Sequence, residues 1–317
     1  MKSSNFNLVS NIDLTSLNEI LAHLNSSLQS DDPVESFQKS MNALNKLWNS
    51  AFRLGLIETK SQSDNDGKSE TSDGQKFRAL ISLLSGKESG NIFVRSPEFR
   101  ELVELEPRVM DMKVLEDNNY DPSNIGEKLR REATKKHTSL FNSYTQPENS
   151  SPDKLLNRMS AFLYIIRSNL SHGEKTSNGP DIEKSKRDKT VCRKALPVAI
   201  RLLEILLNES SNYLATYGTL QDNDTLQKYS IEARRLPGEW SVEGNVEKSN
   251  GLFYFNWISN GKRLAVTLYE VNKETYRILD KYEGKEYRRI CVPAFNSTGK
   301  VGLVVNIYTK NDSFNLV

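Results

Sequence analysis

The chain has 317 residues, of which 37% are hydrophobic and 26% charged, with 43 basic against 41 acidic side chains. That length predicts about two domains of roughly 100–200 residues each, and a formal charge of +2 confines any nucleic-acid contact to a local patch. A mean hydropathy of −0.59, with no run of about 18 apolar residues, excludes a transmembrane helix.

The opening Met1-Lys2-Ser3-Ser4-Asn5 leads into polar residues rather than the apolar core of a secretory signal. Ile12 to Leu28 places apolar residues three and four apart, which predicts an amphipathic helix. Asp32 is then an N-cap and Pro33 the first residue of a second helix running through Trp48 to Leu56. Residues 61–75 carry no apolar side chain and read as a flexible loop. Helices are expected at Phe77 to Leu84 and Glu98 to Leu105. After a punctuating segment at 117–125, a charged helix is expected from Glu127 to Phe141. Ser151 and Pro152 open the next helix, which ends at Gly173. A polar loop from Glu174 to Lys186 precedes a helix from Asp188 to Leu207, which Pro197 should kink or break.

Beyond residue 212 the pattern changes, since 15 of the 27 aromatic residues lie in that last third. Strands are predicted at Tyr213 to Tyr217, Gly251 to Ile258, Leu264 to Val271, Arg289 to Ala294 and Val301 to Tyr308, with one helix at Lys273 to Tyr282. The expected architecture is multidomain α+β: an all-α bundle at 1–211 followed at 212–317 by a small β-barrel with one helix. Cys192 and Cys291 are far apart and lack ligand-like spacing. They predict reduced thiols in a cytoplasmic protein, with no metal or other cofactor.

Two groups of residues carry chemistry. Arg167 and His172 end the apolar helix that opens at Pro152. Five residues of ideal helix leave such side chains about 140° apart, so they can flank a cleft or meet across a dimer axis, or simply cap the helix. An imidazole there suits proton transfer near neutral pH, and a guanidinium suits a phosphate. The segments 128–137 and 183–194 hold five and six basic residues. Each reads either as a track for a phosphate chain or as a solvated helix face. In the second group, Tyr217-Gly218-Thr219-Leu220 closes a strand with a turn that can point successive backbone N–H groups into one pocket. Glu283 lies at the end of the one helix predicted in the strand-rich part, where carbonyl dipoles should raise its pKa and suit it to act as a base.

FLYIIRSNLSHGEK with the following helix resembles the last two helices of the HEPN domain family, most specifically over residues 155–208. Many of its members are metal-independent ribonucleases of toxin and anti-phage systems; others bind nucleotides or hold dimers together. The resemblance implies that Arg167 neutralises a scissile phosphate and His172 transfers protons, with Ser168 and Asn169 in the supporting polar positions. It also implies a homodimer through the helical part, an RNA substrate, and an antitoxin or regulator as partner. From residue 213 onward, YGTL at 217–220, PGEWSVEGNV at 237–246, LDKYEG at 279–284, YRR at 287–289 and VGLVVNIY at 301–308 together resemble the gamma-glutamylcyclotransferase-like family. The implied site binds a γ-glutamyl group at Tyr217, Gly218, Thr219, Leu220 and Tyr287, with Glu283 as the general base that closes 5-oxoproline. Two expectations follow: a ribonuclease whose C-terminal domain binds or processes a small molecule, or a cyclotransferase whose helical part is a dimerisation scaffold.

Overall fold

The computed structural model describes residues 8–59, 72–105, 125–146, 148, 150–171, 182–209, 211–228, 232–258 and 261–311. The segment 117–124, His172, Gly173 and most of the loop predicted at 61–75 lie outside the described residues. No described helix is long and apolar enough to cross a membrane. The chain divides into two compact units, Ser26–Leu203 on one hand, and Met1–Asn25 with Glu204–Val317 on the other.

The helices, in chain order, are α1 (Leu8–Asn11), α2 (Leu14–Leu28), α3 (Pro33–Arg53), α4 (Asp73–Ser82), α5 (Glu88–Phe93), α6 (Pro97–Val103), α7 (Ile125–Thr145), α8 (Pro152–Ser171) and α9 (Ile182–Asn208). Local chemistry accounts for their starts. Asp32 accepts the Val34 amide at 2.8 Å ahead of Pro33, and Ser151 accepts the Lys154 amide at 3.2 Å ahead of Pro152. The polar residues 73–75 belong to α4 and not to a loop, because Ser72 and Gln75 form a reciprocal capping box. Likewise α9 begins at Ile182, within the expected polar loop, and runs unbroken through Pro197. Lone prolines are tolerated where packing on the flanking turns outweighs one lost hydrogen bond, and Ala195, Leu196, Val198, Ala199 and Ile200 are all buried. In the helical unit the apolar face of α3 (Phe37, Met41, Leu44, Trp48) is wholly buried. The Trp48 ring lies 5.0 Å from Phe77 of α4, and α8 packs along both α4 and α7.

The strands are β1 (Tyr213–Thr216), β2 (Ala233–Arg235), β3 (Trp240–Ser249), β4 (Leu252–Trp257), β5 (Arg263–Val271), β6 (Tyr287–Asn296) and β7 (Val301–Lys310), with α10 (Asn223–Lys228) after β1 and α11 (Lys273–Glu283) between β5 and β6. The pairings β5–β1, β1–β7, β7–β6, β6–β3 and β3–β5 return to their start, so five strands close into a barrel. Only β1–β7 in that ring is parallel. Period-two alternation then sorts the side chains. Ala215, Val266, Leu268, Ile290, Val292, Ala294, Val305 and Ile307 fill the interior. Their neighbours Leu214, Tyr269, Val271 and Tyr308 face outward and are covered by Tyr276 and Leu279 of α11.

Strands β2 and β3 escape the sequence reading. β3 alternates weakly and is half exposed along much of its length. It is fixed instead by the two-residue turn Asn250-Gly251 to β4, with Ser249 opposite Leu252. Both turn residues have positive φ, 52° and 82°, as a type I′ hairpin turn requires. Gly244, at φ 151°, marks the closest approach in the barrel wall. A Cβ there would stand 2.3 Å from the Asn256 carbonyl oxygen and 2.7 Å from the Phe255 ring. Gly244→Ala is therefore expected to destabilise the barrel by at least about 2 kcal/mol, seen as a lower urea midpoint for its unfolding.

Candidate functional site

The residues predicted for the C-terminal site converge around the end of α11. The chain leaves β1 at Tyr217 and enters a 3₁₀ turn at Thr219–Gln221, closed by Gln221 N–H to the Gly218 carbonyl at 3.0 Å and Asp222 N–H to the Thr219 carbonyl at 3.2 Å. In 3₁₀ geometry the Thr219 and Leu220 amides precede Gln221, the first whose N–H finds an acceptor within the turn, so they project from it. Leu220 is buried among Tyr269 and Leu279 and anchors the turn from beneath. Gly218 has φ −134°, so left-handed freedom is not why a glycine stands there. Instead, a Cβ at Gly218 would meet nothing within 4 Å, which leaves the backbone open to an approaching group.

Tyr217 bridges an open seam. β4 and β7 pair only at Phe255 opposite Thr309. The Tyr217 hydroxyl fills the gap by accepting the Phe255 N–H at 3.0 Å and donating to the Tyr308 carbonyl at 2.8 Å. Burial, with a smaller push from the Glu283 charge, drives its pKa well above the ordinary tyrosine range. It stays protonated and acts as a brace. Tyr217→Phe is expected to leave that N–H and carbonyl unsatisfied and to lower stability by about 1–3 kcal/mol, measured by chemical denaturation.

Glu283 is the last residue of α11, whose C-cap Gly284 takes φ 70°. Its pKa is pushed up from the ordinary 4.5 to about 7, first by burial and then by the charge of Asp280 one turn earlier. The direction agrees with the sequence expectation, but its causes are burial and a neighbouring carboxylate rather than the helix terminus. The phenols of Tyr217, Tyr287 and Tyr308 all lie within electrostatic reach of Glu283. Tyr287 donates to the Phe253 carbonyl at 3.0 Å, and its ring lies tilted 5.0 Å from that of Tyr254. Thr219 Oγ1 lies 3.5 Å from the Tyr282 hydroxyl, which ties the turn to the last turn of α11.

Sequence reasoning passes over the neighbouring contacts. Asp280 receives Arg289 Nε at 2.8 Å and Nη2 at 2.9 Å, with the Tyr308 hydroxyl at 2.7 Å. Gln221 steadies the turn by donating to the Thr216 carbonyl at 2.9 Å. The i, i+3 spacing of Asp280 and Glu283 was a readable signal for a shared helix face; the partners on β6 and β7 had none.

The helical group is placed differently. Arg167 lies on α8, its side chain 20% exposed, with Nη2 3.8 Å from Asp73 and its guanidinium over the rings of Trp48 (5.5 Å) and Tyr164 (5.7 Å). Ser168 turns its hydroxyl back to the Tyr164 carbonyl at 3.1 Å, and Asn169 is buried. His172 lies outside the described residues. In the two basic segments, Lys135 lies 3.8 Å from Glu132 and Lys194 2.8 Å from Glu101. Among the described residues no group of three His, Cys, Asp or Glu side chains could hold a metal.

Residues 214–315 match the family described as gamma-glutamyl cyclotransferase, AIG2-like. Among solved structures, the uncharacterized protein PH0828 from Pyrococcus horikoshii matches at 28% identity over 32% of this chain and 80% of that one, with a TM-score of 0.26. No curated protein matches the chain. The chain thus joins a mostly helical N-terminal region to a C-terminal barrel similar to the AIG2-like gamma-glutamyl cyclotransferases.

Proposed function

We propose that the C-terminal domain is a gamma-glutamylcyclotransferase-type site that takes γ-glutamyl compounds. The carrying observation is the half-buried carboxyl of Glu283, its pKa pushed up by burial and by Asp280, beside the 217–220 turn inside the segment that matches the family. Ionised Glu283 takes a proton from the substrate's α-amino group. The freed amine attacks the γ-carbonyl carbon, and the developing oxyanion is met by the amides of the 218–220 turn. Collapse breaks the γ-amide bond, the proton passes from Glu283 to the departing nitrogen, and 5-oxoproline and an amine leave. No metal is needed for this sequence of proton transfers.

The helical part serves in this reading as a dimerisation scaffold. The alternative, a metal-independent ribonuclease of toxin or anti-phage type with Arg167 and His172 at its centre and an antitoxin or regulator as partner, stands second. Its arginine stands 3.8 Å from Asp73 and over two aromatic rings, so a phosphate there would share the guanidinium with a carboxylate. Incubation of the full chain with a panel of γ-glutamyl amino acids and γ-glutamyl amines, read by 5-oxoproline release, tests the first reading. Release from any member supports it. No release from folded protein, together with RNA cleavage that His172→Ala abolishes, would transfer the function to the helical part.

A further inference from the structure

Glu283 does not stand alone at the end of α11. Asp280 lies one turn before it on the same helix and is held in a three-point clamp: two parallel bonds from Arg289 (2.8 and 2.9 Å) and one from the Tyr308 hydroxyl (2.7 Å). A planar guanidinium bonded to both carboxylate oxygens fixes orientation as well as distance. The clamp is itself fixed, because Arg289 stacks 4.3 Å from the Tyr276 ring. The Tyr276 hydroxyl donates to the Tyr213 carbonyl at 2.9 Å and accepts from Asn306 at 2.9 Å. Two barrel strands thus grip the helix through the residue one turn from the proposed base.

We propose that Asp280 is a positioning residue for Glu283, with Arg289 and Tyr308 as the clamp that holds it. Resting on the cyclotransferase reading of this site, it assigns two tasks to one carboxylate. It pins the last turn of α11 to β6 and β7, and it sets a negative charge beside the base, tempered by the Arg289 cation. The groups facing Glu283 are Asp280 on its own helix, Tyr217 from the turn after β1, Tyr287 from β6 and Tyr308 from β7, with Tyr254 of β4 behind Tyr287, while Arg289 of β6 faces Asp280. Lys281, Lys285 and Glu286 are exposed. Because burial raises the pKa of each of Tyr217, Tyr287 and Tyr308, these phenols stay neutral near pH 7. The charge that acts on Glu283 within the clamp is then that of Asp280, which the Arg289 cation paired with it offsets.

The two members of the clamp should consequently move the base in opposite directions. In Asp280→Asn the repelling charge is gone and the Arg289 cation remains, so Glu283 titrates lower by about half a pH unit or more. In Arg289→Gln the Asp280 charge acts undiminished and Glu283 titrates higher, while Arg289→Lys, which keeps the cation, returns it toward the wild-type value. The measurement is an NMR titration of the full chain with ¹³C-carboxyl-labelled glutamate, the Glu283 signal being identified by its loss in Glu283→Gln. The acid limb of 5-oxoproline release should follow the same displacements. Shifts in the same direction, or none, would overturn the proposal, since a purely structural clamp would lower turnover at every pH without moving the titration. Thermal melts accompany each variant, and if Asp280→Asn does not fold, the Arg289→Gln and Arg289→Lys pair decides alone. Displaced titrations in a chain that releases no 5-oxoproline would overturn the cyclotransferase reading and leave the positioning role standing.

Discussion

Glu283→Gln is expected to lower kcat/KM for 5-oxoproline release by about 10²–10⁴-fold, the contribution of a positioned general base, while binding of the γ-glutamyl group changes little. The substitution keeps the shape of the side chain and removes its charge and its ability to take a proton. In the wild type the rate should climb as pH rises toward about 7, where Glu283 loses its proton, and level off above it. The same raised value has a consequence for stability. Between the ordinary 4.5 and about 7 the folded chain holds a proton that the unfolded chain has released, so this group's contribution to folding weakens as pH rises through that window. Glu283→Gln should be as stable as the wild type near pH 4 and more stable by roughly 2 kcal/mol at pH 8, once the partial exposure of the group is allowed for. Denaturation midpoints at both pH values, measured beside the activity profile, check the two effects together. A variant that kept its activity would remove Glu283 from the reaction.

Arg288→Met is expected to cost about 3–5 kcal/mol, because it takes the cation of a salt bridge away from a buried carboxylate. Glu204, near the end of α9, is only 2% exposed, and its ion-pair partner Arg288 on β6 is 15% exposed. Just beyond, Asn208 donates to the Arg289 carbonyl at 2.7 Å and accepts from the Cys291 thiol at 3.3 Å. Ser211 donates to the Val304 carbonyl at 3.0 Å. The last turn of the helix is therefore stitched to β6 and β7. The double variant Glu204→Met, Arg288→Met should recover most of the loss, since a well-packed apolar pair is often as stable as a buried salt bridge. A double-mutant cycle by urea denaturation supplies the test, and additive costs would mean that the two side chains do not act on one another.

These two cases show where the sequence was legible. The strands β5, β6 and β7 could be read because they are rich in β-branched and aromatic residues, and in the closed barrel Val266, Leu268, Ile290, Val292, Val305 and Ile307 lie inside. Helix starts were readable at Asp32 and Ser151, where the capping side chain is adjacent to the helix it begins. The strand β3 was also written in the chain, through Asn250-Gly251, but its weak alternation hid it. The capping box at Ser72 was equally local and marked a helix start inside a segment read as loop.

What the amino-acid order determined by itself is thus periodic or adjacent: a helical part, a strand-rich part, the turn at 217–220 and a glutamate ending the helix before β6. Tertiary structure alone decided what those pieces do to each other. It carried the Tyr217 hydroxyl to a seam between β4 and β7, 38 and 91 residues away along the chain. It half-buried Glu283, it closed Arg289 on Asp280, and it turned Arg167 toward Asp73 and two aromatic rings. The reason is physical. Side-chain period and capping chemistry act within a few residues, whereas desolvation and charge pairing depend on which faces meet after the chain has closed on itself.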